Sequence, residues 1–354
     1  MHSKKIIIIA GGSGGHVFPG LVIAKYLIKK GWKINWIGTK NKIESKIIPK
    51  HNIKIHFIKI NGLRNTNLKN LVCSPIHIFN AFIQIKKIIK TWMPNIVLGM
   101  GGYVSGPGGL AAWNSRIPFI LHEQNKIAGI TNKILSKISK KNMQAFPNTL
   151  SNAEVVGNPI REDIINIPKP AKRFKNRTGP LRILIIGGSQ GASIFNHILP
   201  KISLVLHEKI VIWHQTGNLD YEKTKKKYKK YSSYKHVVDR FIENISDAYS
   251  WADIIISRSG ALTVSEIAAV GLGAIFIPYP HKDKQQYLNA KYLEKNGSAK
   301  IIEQSEFNEK IIIKILNLLN REKLLLMAEQ AYSLGQRNSM SKIYKIIHHI
   351  THQK

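Results

Sequence analysis

Ile6-Ile7-Ile8-Ile9-Ala10-Gly11-Gly12-Ser13-Gly14-Gly15 returns in the second half of the chain as Ile183-Leu184-Ile185-Ile186-Gly187-Gly188-Ser189-Gln190-Gly191. Each copy joins a short apolar run to a glycine-rich turn, and the offset from Gly11 to Gly187 is 176 residues, close to half of the 354 residues. An apolar run that ends in glycines and leads into a helix is typical of the first strand of a doubly wound α/β domain. The near-duplication therefore predicts two similar α/β domains.

Further apolar runs, separated by turn residues, follow each copy. Helices are expected directly after the two turns, over 19–30 and 192–206. Strands are predicted at 32–37, 96–98, 118–121, 210–213, 254–256 and 274–277. Because strands alternate with helices, both sheets should be parallel, with ligands at the carboxyl ends of the strands.

The domain boundary is expected near residue 165, which gives domains of 1–165 and 166–354. Residues 166–181 are rich in Pro, Lys and Arg and suit an exposed linker. A lysine and tyrosine tract at 218–235 is interpreted as a solvated surface excursion. The last helix, about 340–354, is a candidate to pack back on the N-terminal domain.

Composition limits the protein class. The basic start, Met1 to Lys5, resembles a signal peptide, but the apolar run that follows is too short, and the charge-free stretch 93–115 contains too many glycines for a lipid-exposed helix. The lone Cys73 permits no internal disulfide, which favours a reducing cytoplasm. The formal charge of +34 attracts anions of several kinds, and a general Lys, Ile and Asn bias also explains it. Nucleic-acid binding is not expected, since no motif for it occurs.

The first glycine-rich loop, Gly11 to His16, is built for close approach of backbone N–H groups to a phosphate. A dinucleotide fold would place a third glycine where Val17 stands, and the second strand ends at Thr39 without an acidic residue for a ribose. Both features argue against NAD. No P-loop sequence occurs either.

Two polar segments follow later strands of the first half. The glycine-rich turn 99–109 is either a tight strand-to-helix connection or, as its glycine content favours, a place where a bulky ligand approaches closely. His122-Glu123-Gln124-Asn125 ends the next strand and lacks the second histidine of a zinc motif, so contact with a sugar is the better interpretation.

In the second half, Ser257 to Glu266 follows a predicted strand and opens a helix, whose first N–H groups suit a phosphate. Glu266 either accepts the hydroxyls of a ribose or compensates the helix dipole. Gln285 and Gln286 follow the next strand in a polar loop. No two of the six aspartates lie two residues apart, so the D-x-D metal motif is absent and neither a metal nor another cofactor is expected.

Taken together, six segments closely resemble the MurG family of bacterial N-acetylglucosaminyltransferases, over residues 5 to about 300. They are GGSGGHVFPG, GMGGYVSGPGGLAAW, HEQN, VGNPIR, GGSQGA and RSGALTVSEIAA with HKDKQQ, in the family's order and spacing. The resemblance implies a GT-B fold, with two Rossmann-like domains facing a cleft. It also implies an N-terminal domain that binds the acceptor and the membrane, and a C-terminal domain that binds UDP-GlcNAc.

The resemblance also implies a set of donor-binding residues. Asn125 and Arg161 would reach UDP-GlcNAc from the side of the first domain, and Ser189 would contact its diphosphate. Glu266 would bind the ribose and Gln286 the GlcNAc. Ser13, where the family more often has threonine, keeps the hydroxyl. The remaining implied donor residues are Gly14, Gly15, Ile242 at the uracil, Ala261, Leu262, Thr263, Val264 and Ser265.

The reaction implied is inverting transfer of GlcNAc from UDP-GlcNAc to the C4 hydroxyl of MurNAc in lipid I, giving lipid II and UDP for peptidoglycan synthesis. His16, with a pKa expected near neutrality, is the candidate base, although a purely positioning histidine is equally compatible. Arg161 and helix dipoles would neutralise the leaving group. Three alternatives remain. The first is a GT-B enzyme that uses a different nucleotide-sugar or acceptor, and the second is a UDP-GlcNAc 2-epimerase. The third is a non-enzymatic protein, either a nucleotide-sugar sensor or a basic surface-binding protein.

The lipid acceptor implies a peripheral enzyme at the cytoplasmic face of the cell inner membrane, with cell-wall synthesis and division proteins as further partners. Residues 75–92 place Ile76, Phe79, Phe82 and Ile83 at helical spacing, followed by lysines. This helix is expected either to lie on anionic lipid or to pack on its own sheet.

Overall fold

The computed structural model describes residues 4–60, 74–231 and 236–352. Met1–Ser3 and Cys73 therefore lie outside the described residues. Two compact units divide the chain, one formed by Met1–Ile160 with Arg337–Lys354 and the other by Arg161–Gln336. The chain thus changes unit at Arg161 and changes back at Arg337.

The first unit is built on a seven-stranded sheet whose strand order is β3-β2-β1-β4-β5-β6-β7. Every pair is parallel; Ile6 of β1, for example, lies opposite Ile34 and Ile96. The strands are β1 Lys5–Ile9, β2 Lys33–Thr39, β3 Lys54–Ile58, β4 Ile96–Gly99, β5 Phe119–Glu123, β6 Lys141–Gln144 and β7 Ala153–Val155. The helices up to this point are α1 Gly14–Lys29, α2 Ile43–Ile47, α3 Ser74–Trp92, α4 Ser105–Asn114 and α5 Ile130–Leu135, with a 3-10 turn at Ile48–His51.

The second unit has a six-stranded parallel sheet in the order β10-β9-β8-β11-β12-β13. Its strands are β8 Leu181–Ile186, β9 Ile210–Gln215, β10 Val237–Asp239, β11 Ile254–Ser257, β12 Gly273–Phe276 and β13 Ala299–Ile301. Its helices are α6 Glu162–Ile165, α7 Pro170–Phe174, α8 Ser193–Val205, α9 Tyr221–Tyr231, α10 Ile245–Trp251, α11 Ala261–Val270, α12 Gln285–Lys295, α13 Glu309–Asn317 and α14 Arg321–Leu334.

Strand β1 is buried on both faces, which explains its unbroken isoleucine run. Ile6 and Ile8 belong to one apolar cluster of the first unit, and Ile7 and Ile9 belong to another. The last helix, α15 Ser339–His352, adds apolar residues to the cluster of Ile6 and Ile8. These residues are Met340, Ile343, Ile347 and Ile350. Residues from the two ends of the described chain therefore share one core.

All six predicted strands form, and the strands that sequence patterns missed are β3, β6, β7, β10 and β13. Helix α1 begins at Gly14, ahead of the expected position, and carries Pro19 inside it. The expectation of an exposed linker at 166–181 is wrong for Pro170, Arg173 and Phe174, which are buried in the second unit. The guanidinium of Arg173 donates to the carbonyl oxygens of Pro168, Tyr249, Val270 and Gly271.

The lysine and tyrosine tract forms helix α9, which is solvated except where Thr224 and Tyr228 are buried; residues 232–235 lie outside the described part. Within the portion of the chain that the structure covers, no helix has both the length and the apolar character needed to cross a membrane.

Candidate active site

The first glycine-rich loop is held by hydrogen bonds to Glu44, a residue that sequence patterns did not reveal. Its fully buried carboxylate accepts the Gly12 N–H at 3.2 and 3.3 Å. The same carboxylate accepts the backbone N–H of Thr39 at 3.0 Å and its hydroxyl at 2.7 Å. A Cβ on Gly11 would lie only 2.6 Å from this carboxylate. Glu44 thus ties the loop to the end of β2.

His16 lies in the first turn of α1, half-buried, with Nδ1 3.0 Å from the Ser13 hydroxyl oxygen. Burial lowers the pKa of His16 to about 4, and the nearby Glu44 charge opposes this shift only in part. The expectation of a pKa near neutrality is therefore wrong. The imidazole is neutral at pH 7, so it is able to accept a proton, but as a weaker base than an exposed histidine.

The second glycine-rich turn packs against protein atoms of the first unit. A Cβ on Gly101 would lie 3.0 Å from His16 Nε2, and one on Gly102 would lie 2.9 Å from the Gly11 carbonyl oxygen. A Cβ on Gly108 would overlap Ile9, and one on Gly109 would lie 2.7 Å from Leu135. The inference that a bulky ligand explains the glycines is wrong for these four, because their close neighbours are the chain's own loop and core. For Gly106, where an added Cβ would meet only Thr131 at 3.7 Å, it stays a prediction.

The segment His122–Asn125 is mostly internal. His122 and Gln124 are fully buried and Glu123 nearly so, and the His122 ring meets the Gly157 carbonyl oxygen at 3.0 Å. Sugar contact by these three side chains is therefore ruled out by burial. Asn125 remains half-buried at the surface.

Glu123 holds the loop that presents Asn125. Its carboxylate accepts from the Asn125 N–H at 2.9 Å, the Gly129 N–H at 3.1 Å and the Asn132 amide at 2.7 Å. Burial raises the pKa of Glu123, whereas these hydrogen bonds lower it. The Asn132 amide nitrogen would lie 3.1 Å from a Cβ on Gly101, beside His16. Asn125 and His16 therefore belong to one connected set of loops.

The second glycine-rich loop is exposed to solvent, whereas the first is hydrogen-bonded to the buried carboxylate of Glu44. Gly188, Ser189 and Gln190 are exposed or nearly so, and a Cβ on Gly188, despite its φ of +98°, would meet no atom within 4 Å. Gln215, at the end of β9, donates its amide to the Gly188 carbonyl oxygen at 2.9 Å and accepts the Ile242 N–H at 2.9 Å. Gln215 thereby connects the loop that contains Ser189 with Ile242, and sequence patterns did not reveal it.

Glu266 lies in helix α11, where its Oε2 accepts the Tyr249 hydroxyl at 2.9 Å. Burial raises the pKa of Glu266, and the charge of Arg161 is the largest effect that opposes it. Arg161 also lies 4.0 Å from Asp163. Because Arg161 begins the second unit, the expectation that it acts from the first domain's side is wrong.

The other implied donor residues differ in exposure. The Val264 side chain is fully buried and Ala261 and Ile242 nearly so, which leaves Leu262, Thr263 and Ser265 half-buried on α11. The carboxamide oxygen of Gln286, at the start of α12, accepts the Tyr279 N–H at 2.9 Å. Any contact of Val264 with a ligand must therefore use its backbone.

The implied residues thus form two groups, one in each unit. The first unit holds Ser13, Gly14, Gly15 and His16 together, with Asn125 linked to them through Glu123 and Asn132. The second unit brings Arg161 near Glu266 and joins the Ser189 loop to Ile242.

Both units match models of known domains. Residues 6–144 match the glycosyltransferase family 28 N-terminal domain, and residues 182–349 match the glycosyltransferase family 28 C-terminal domain. Two doubly wound parallel domains in this order constitute the GT-B architecture.

Solved structures share this architecture. MurG of Acinetobacter baumannii superposes with a TM-score of 0.86 at 37% identity, over 98% of this chain and 99% of that one. UDP-GlcNAc 2-epimerase from Neisseria meningitidis, bound to UDP-GlcNAc, gives a TM-score of 0.66 at 14% identity, over 98% of this chain and 100% of that one, a likeness of fold alone.

Curated relatives cover the whole chain. The UDP-N-acetylglucosamine--N-acetylmuramyl-(pentapeptide) pyrophosphoryl-undecaprenol N-acetylglucosamine transferase of Buchnera aphidicola subsp. Schizaphis graminum is 76% identical over 353 residues, 100% of both chains. The protein of that name from Buchnera aphidicola subsp. Acyrthosiphon pisum (strain APS) is 66% identical over 351 residues, 99% of both chains. The chain therefore belongs to glycosyltransferase family 28 and, within it, to the MurG family of N-acetylglucosamine transferases.

Proposed function

We propose that this enzyme transfers GlcNAc from UDP-GlcNAc to the C4 hydroxyl of MurNAc in lipid I, forming lipid II and UDP for peptidoglycan synthesis. We further propose that the transfer inverts the anomeric carbon and needs no metal. The observation that carries this proposal is the 76% identity, over the whole chain, to a relative named for that reaction.

The second domain is proposed to bind the donor. Its open loop at Ser189 exposes backbone suited to a diphosphate, and the first turn of α11 points N–H groups and a helix dipole in the direction that favours an anion. Glu266, oriented by Tyr249, is proposed to accept the ribose hydroxyls, with Ile242 at the uracil and Gln286 at the GlcNAc. Arg161, half exposed beside Glu266, supplies the cation for the leaving diphosphate.

The first domain is proposed to bind the acceptor and to supply the base. In one displacement the acceptor oxygen forms a bond to the anomeric carbon while the bond from that carbon to the UDP oxygen breaks. His16, neutral at pH 7 because burial lowers its pKa, takes the acceptor proton. Ser13 fixes the ring through Nδ1, which leaves Nε2 as the nitrogen for this proton.

Transfer is tested with a lipid I analogue and labelled UDP-GlcNAc, with and without EDTA. We expect lipid II and UDP in equal amounts under both conditions. Activity lost on EDTA addition and restored by Mg²⁺ would contradict the metal-free mechanism. Release of ManNAc without any acceptor would instead identify an epimerase, whose fold this chain shares.

The role of His16 has its own test. His16→Ala is expected to slow transfer by about 10²- to 10⁴-fold, the usual contribution of a general base. Stabilisation of the protein by UDP-GlcNAc against heat should stay close to that of the wild type. Ser13→Ala, which removes the partner of Nδ1 but keeps the ring, should lose far less activity. Unchanged turnover in His16→Ala would exclude His16 as the base.

We also propose that the enzyme is peripheral at the cytoplasmic face of the cell inner membrane. Helix α3 packs Ala81, Ile85 and Ile89 into its own domain, so the expectation of sheet packing holds for that face. Its opposite side exposes apolar residues at 62%, 60% and 48% of their surface, which supports lipid contact. These residues are Ile76, Phe79 and Ile83, followed by the exposed Lys86, Lys87 and Lys90.

Phe79→Ser should weaken sedimentation of the enzyme with anionic vesicles. Unchanged sedimentation would contradict the proposal that this surface contacts lipid. Cell-wall synthesis and division proteins are further proposed partners.

A further inference from the structure

A cavity of about 280 Å³ lies at the ends of β2 and β3 in the first domain. Its volume equals that of roughly nine waters, taking about 30 Å³ for each, which is enough for a phosphate or diphosphate group. Ile58 and Ile60 form apolar wall, and the polar lining comes from Thr39, Lys40, Asn41, Lys59 and His77.

The charge of this cavity is one-sided. Lys40 and Lys59 are both exposed and carry ammonium groups, and the His77 ring adds a further N–H donor. Among the described residues that line the cavity, none is acidic. The Glu44 carboxylate, which contacts the lining residue Thr39, is buried and accepts the N–H groups of Gly12 and Thr39. A cavity of this composition attracts an anion with several oxygen acceptors.

On one side, the cavity adjoins the loop that carries His16. The hydroxyl of Thr39, a lining residue, lies 3.3 Å from the Tyr103 hydroxyl. The Tyr103 ring in turn lies against Gly12, since a Cβ on Gly12 would be 3.0 Å from that ring. One tyrosine therefore separates the cavity from the first glycine-rich loop.

On the other side, the cavity adjoins the exposed apolar end of helix α3. His77 lines the cavity, and its chain neighbour Ile76 is 62% exposed. Phe79, two residues further along, is 60% exposed. Four features of the first domain therefore follow one another in space: the loop of His16, then Tyr103, then the basic cavity, then the apolar end of helix α3.

We propose that this cavity binds a phosphate or diphosphate group carried by a lipid, and that during transfer it holds the diphosphate of the lipid-linked acceptor. This inference rests on the function proposed above. In such an acceptor, the diphosphate lies between the sugar and the polyprenyl chain. The surface has the same order, with the candidate base, then the cationic cavity, then the apolar helix.

Matched double variants test the proposal in the full-length enzyme. K40A/K59A removes two positive charges at the carboxyl ends of β2 and β3. K33A/K54A removes two charges that are also exposed, at the other ends of the same two strands. We expect K40A/K59A to raise the KM for a lipid I analogue about tenfold or more, as losing charge-assisted hydrogen bonds to phosphate implies, with kcat nearly unchanged. K33A/K54A should stay within about twofold of the wild type.

Two further measurements separate the sources of the phosphate. Thermal stabilisation by UDP-GlcNAc should be equal in both variants, which checks that the donor domain is intact. Sedimentation with anionic phospholipid vesicles, without acceptor, should fall equally in both variants. If K40A/K59A lost vesicle binding selectively while its acceptor KM in detergent matched that of K33A/K54A, the cavity would serve phospholipid headgroups, and the acceptor assignment would be wrong. If the wild type is active and the two variants behave alike in every assay, the proposal that the cavity binds a phosphate group is wrong. If the wild type is inactive, the proposed function is wrong instead.

Discussion

Glu44 gives the two glycine-rich loops different surroundings, although their sequences are near-duplicates. The first loop has a buried carboxylate bonded to the Gly12 N–H, whereas Ser189 and Gly188 in the second loop stand at an open surface. A negative charge beneath a loop weakens its attraction for a phosphate. The residue contacts therefore favour the second loop for the donor diphosphate and leave the first loop to position His16.

Replacing Glu44 by Gln tests that assignment. The amide keeps the shape but loses the charge and one acceptor, so we expect about 1–3 kcal/mol lower stability in urea unfolding. We also expect kcat to fall by about tenfold or more with the KM for UDP-GlcNAc unchanged, because the loop carrying His16 loses its anchor. Thr39→Val removes one contact and keeps the carboxylate, so it should fall between Glu44→Gln and the wild type. A raised donor KM in Glu44→Gln would contradict the assignment.

At the scale of single elements, the strands that sequence patterns missed have a common position. Strands β3, β7, β10 and β13 are sheet edges, and β6 is next to an edge. Edge strands are buried less completely, so they lack the unbroken apolar runs that revealed β1, β8 and β11. The interior of each sheet was therefore predictable and its margins were not.

The site was predictable to a similar extent. Glycine-rich loops, Asn125 and Glu266 occur at motif positions along the chain, so sequence alone draws attention to them. Glu44, Gln215 and Tyr249 act through contacts between elements that are far apart in sequence, at separations of 32, 27 and 17 residues. Such partners are determined by the packing of elements, which no local pattern encodes. Burial of His122 and Gln124 escaped prediction for the same reason.

Two turns of the second domain, one at Gly191 and one at Thr216, pack directly against each other. A Cβ on Gly191, whose φ is +75°, would overlap the Thr216 backbone. Gly191→Ala should therefore destabilise the domain by about 3 kcal/mol or more in chemical denaturation. Gly188→Ala has an unfavourable φ but open space, and should cost about 1 kcal/mol. An equal loss of unfolding free energy in the two variants would show that the turn at Gly191 does not pack against Thr216.

The whole molecule carries several histidines that fold in the neutral form. Burial lowers the pKa of His122 to about 4 and that of His214 to about 3. An unfolded histidine titrates near 6.5, so below that pH the unfolded chain binds protons that the native chain does not. The contribution of these rings to stability should thus be constant above pH 7 and be lost as the pH drops from 6.5 to 4, by on the order of 3 kcal/mol per ring.

Urea unfolding between pH 8 and 4.5 measures this loss. His214→Gln keeps an amide that is able to hydrogen-bond the Tyr228 hydroxyl and does not titrate in this range, so its stability should vary less with pH than that of the wild type. A variant with the same pH slope as the wild type would show that His214 does not contribute.

Helix α15 has a consequence for how the protein is made. Its apolar residues complete the core around β1, so the first domain needs segments from both ends of the chain, whereas residues 161–336 contain every element of the second. During synthesis every residue of the second domain is therefore added before helix α15 of the first domain. The first domain therefore stays incomplete while the second domain is translated. A ribosome that stops shortly before residue 339 releases a chain whose second domain is finished while its first domain lacks helix α15.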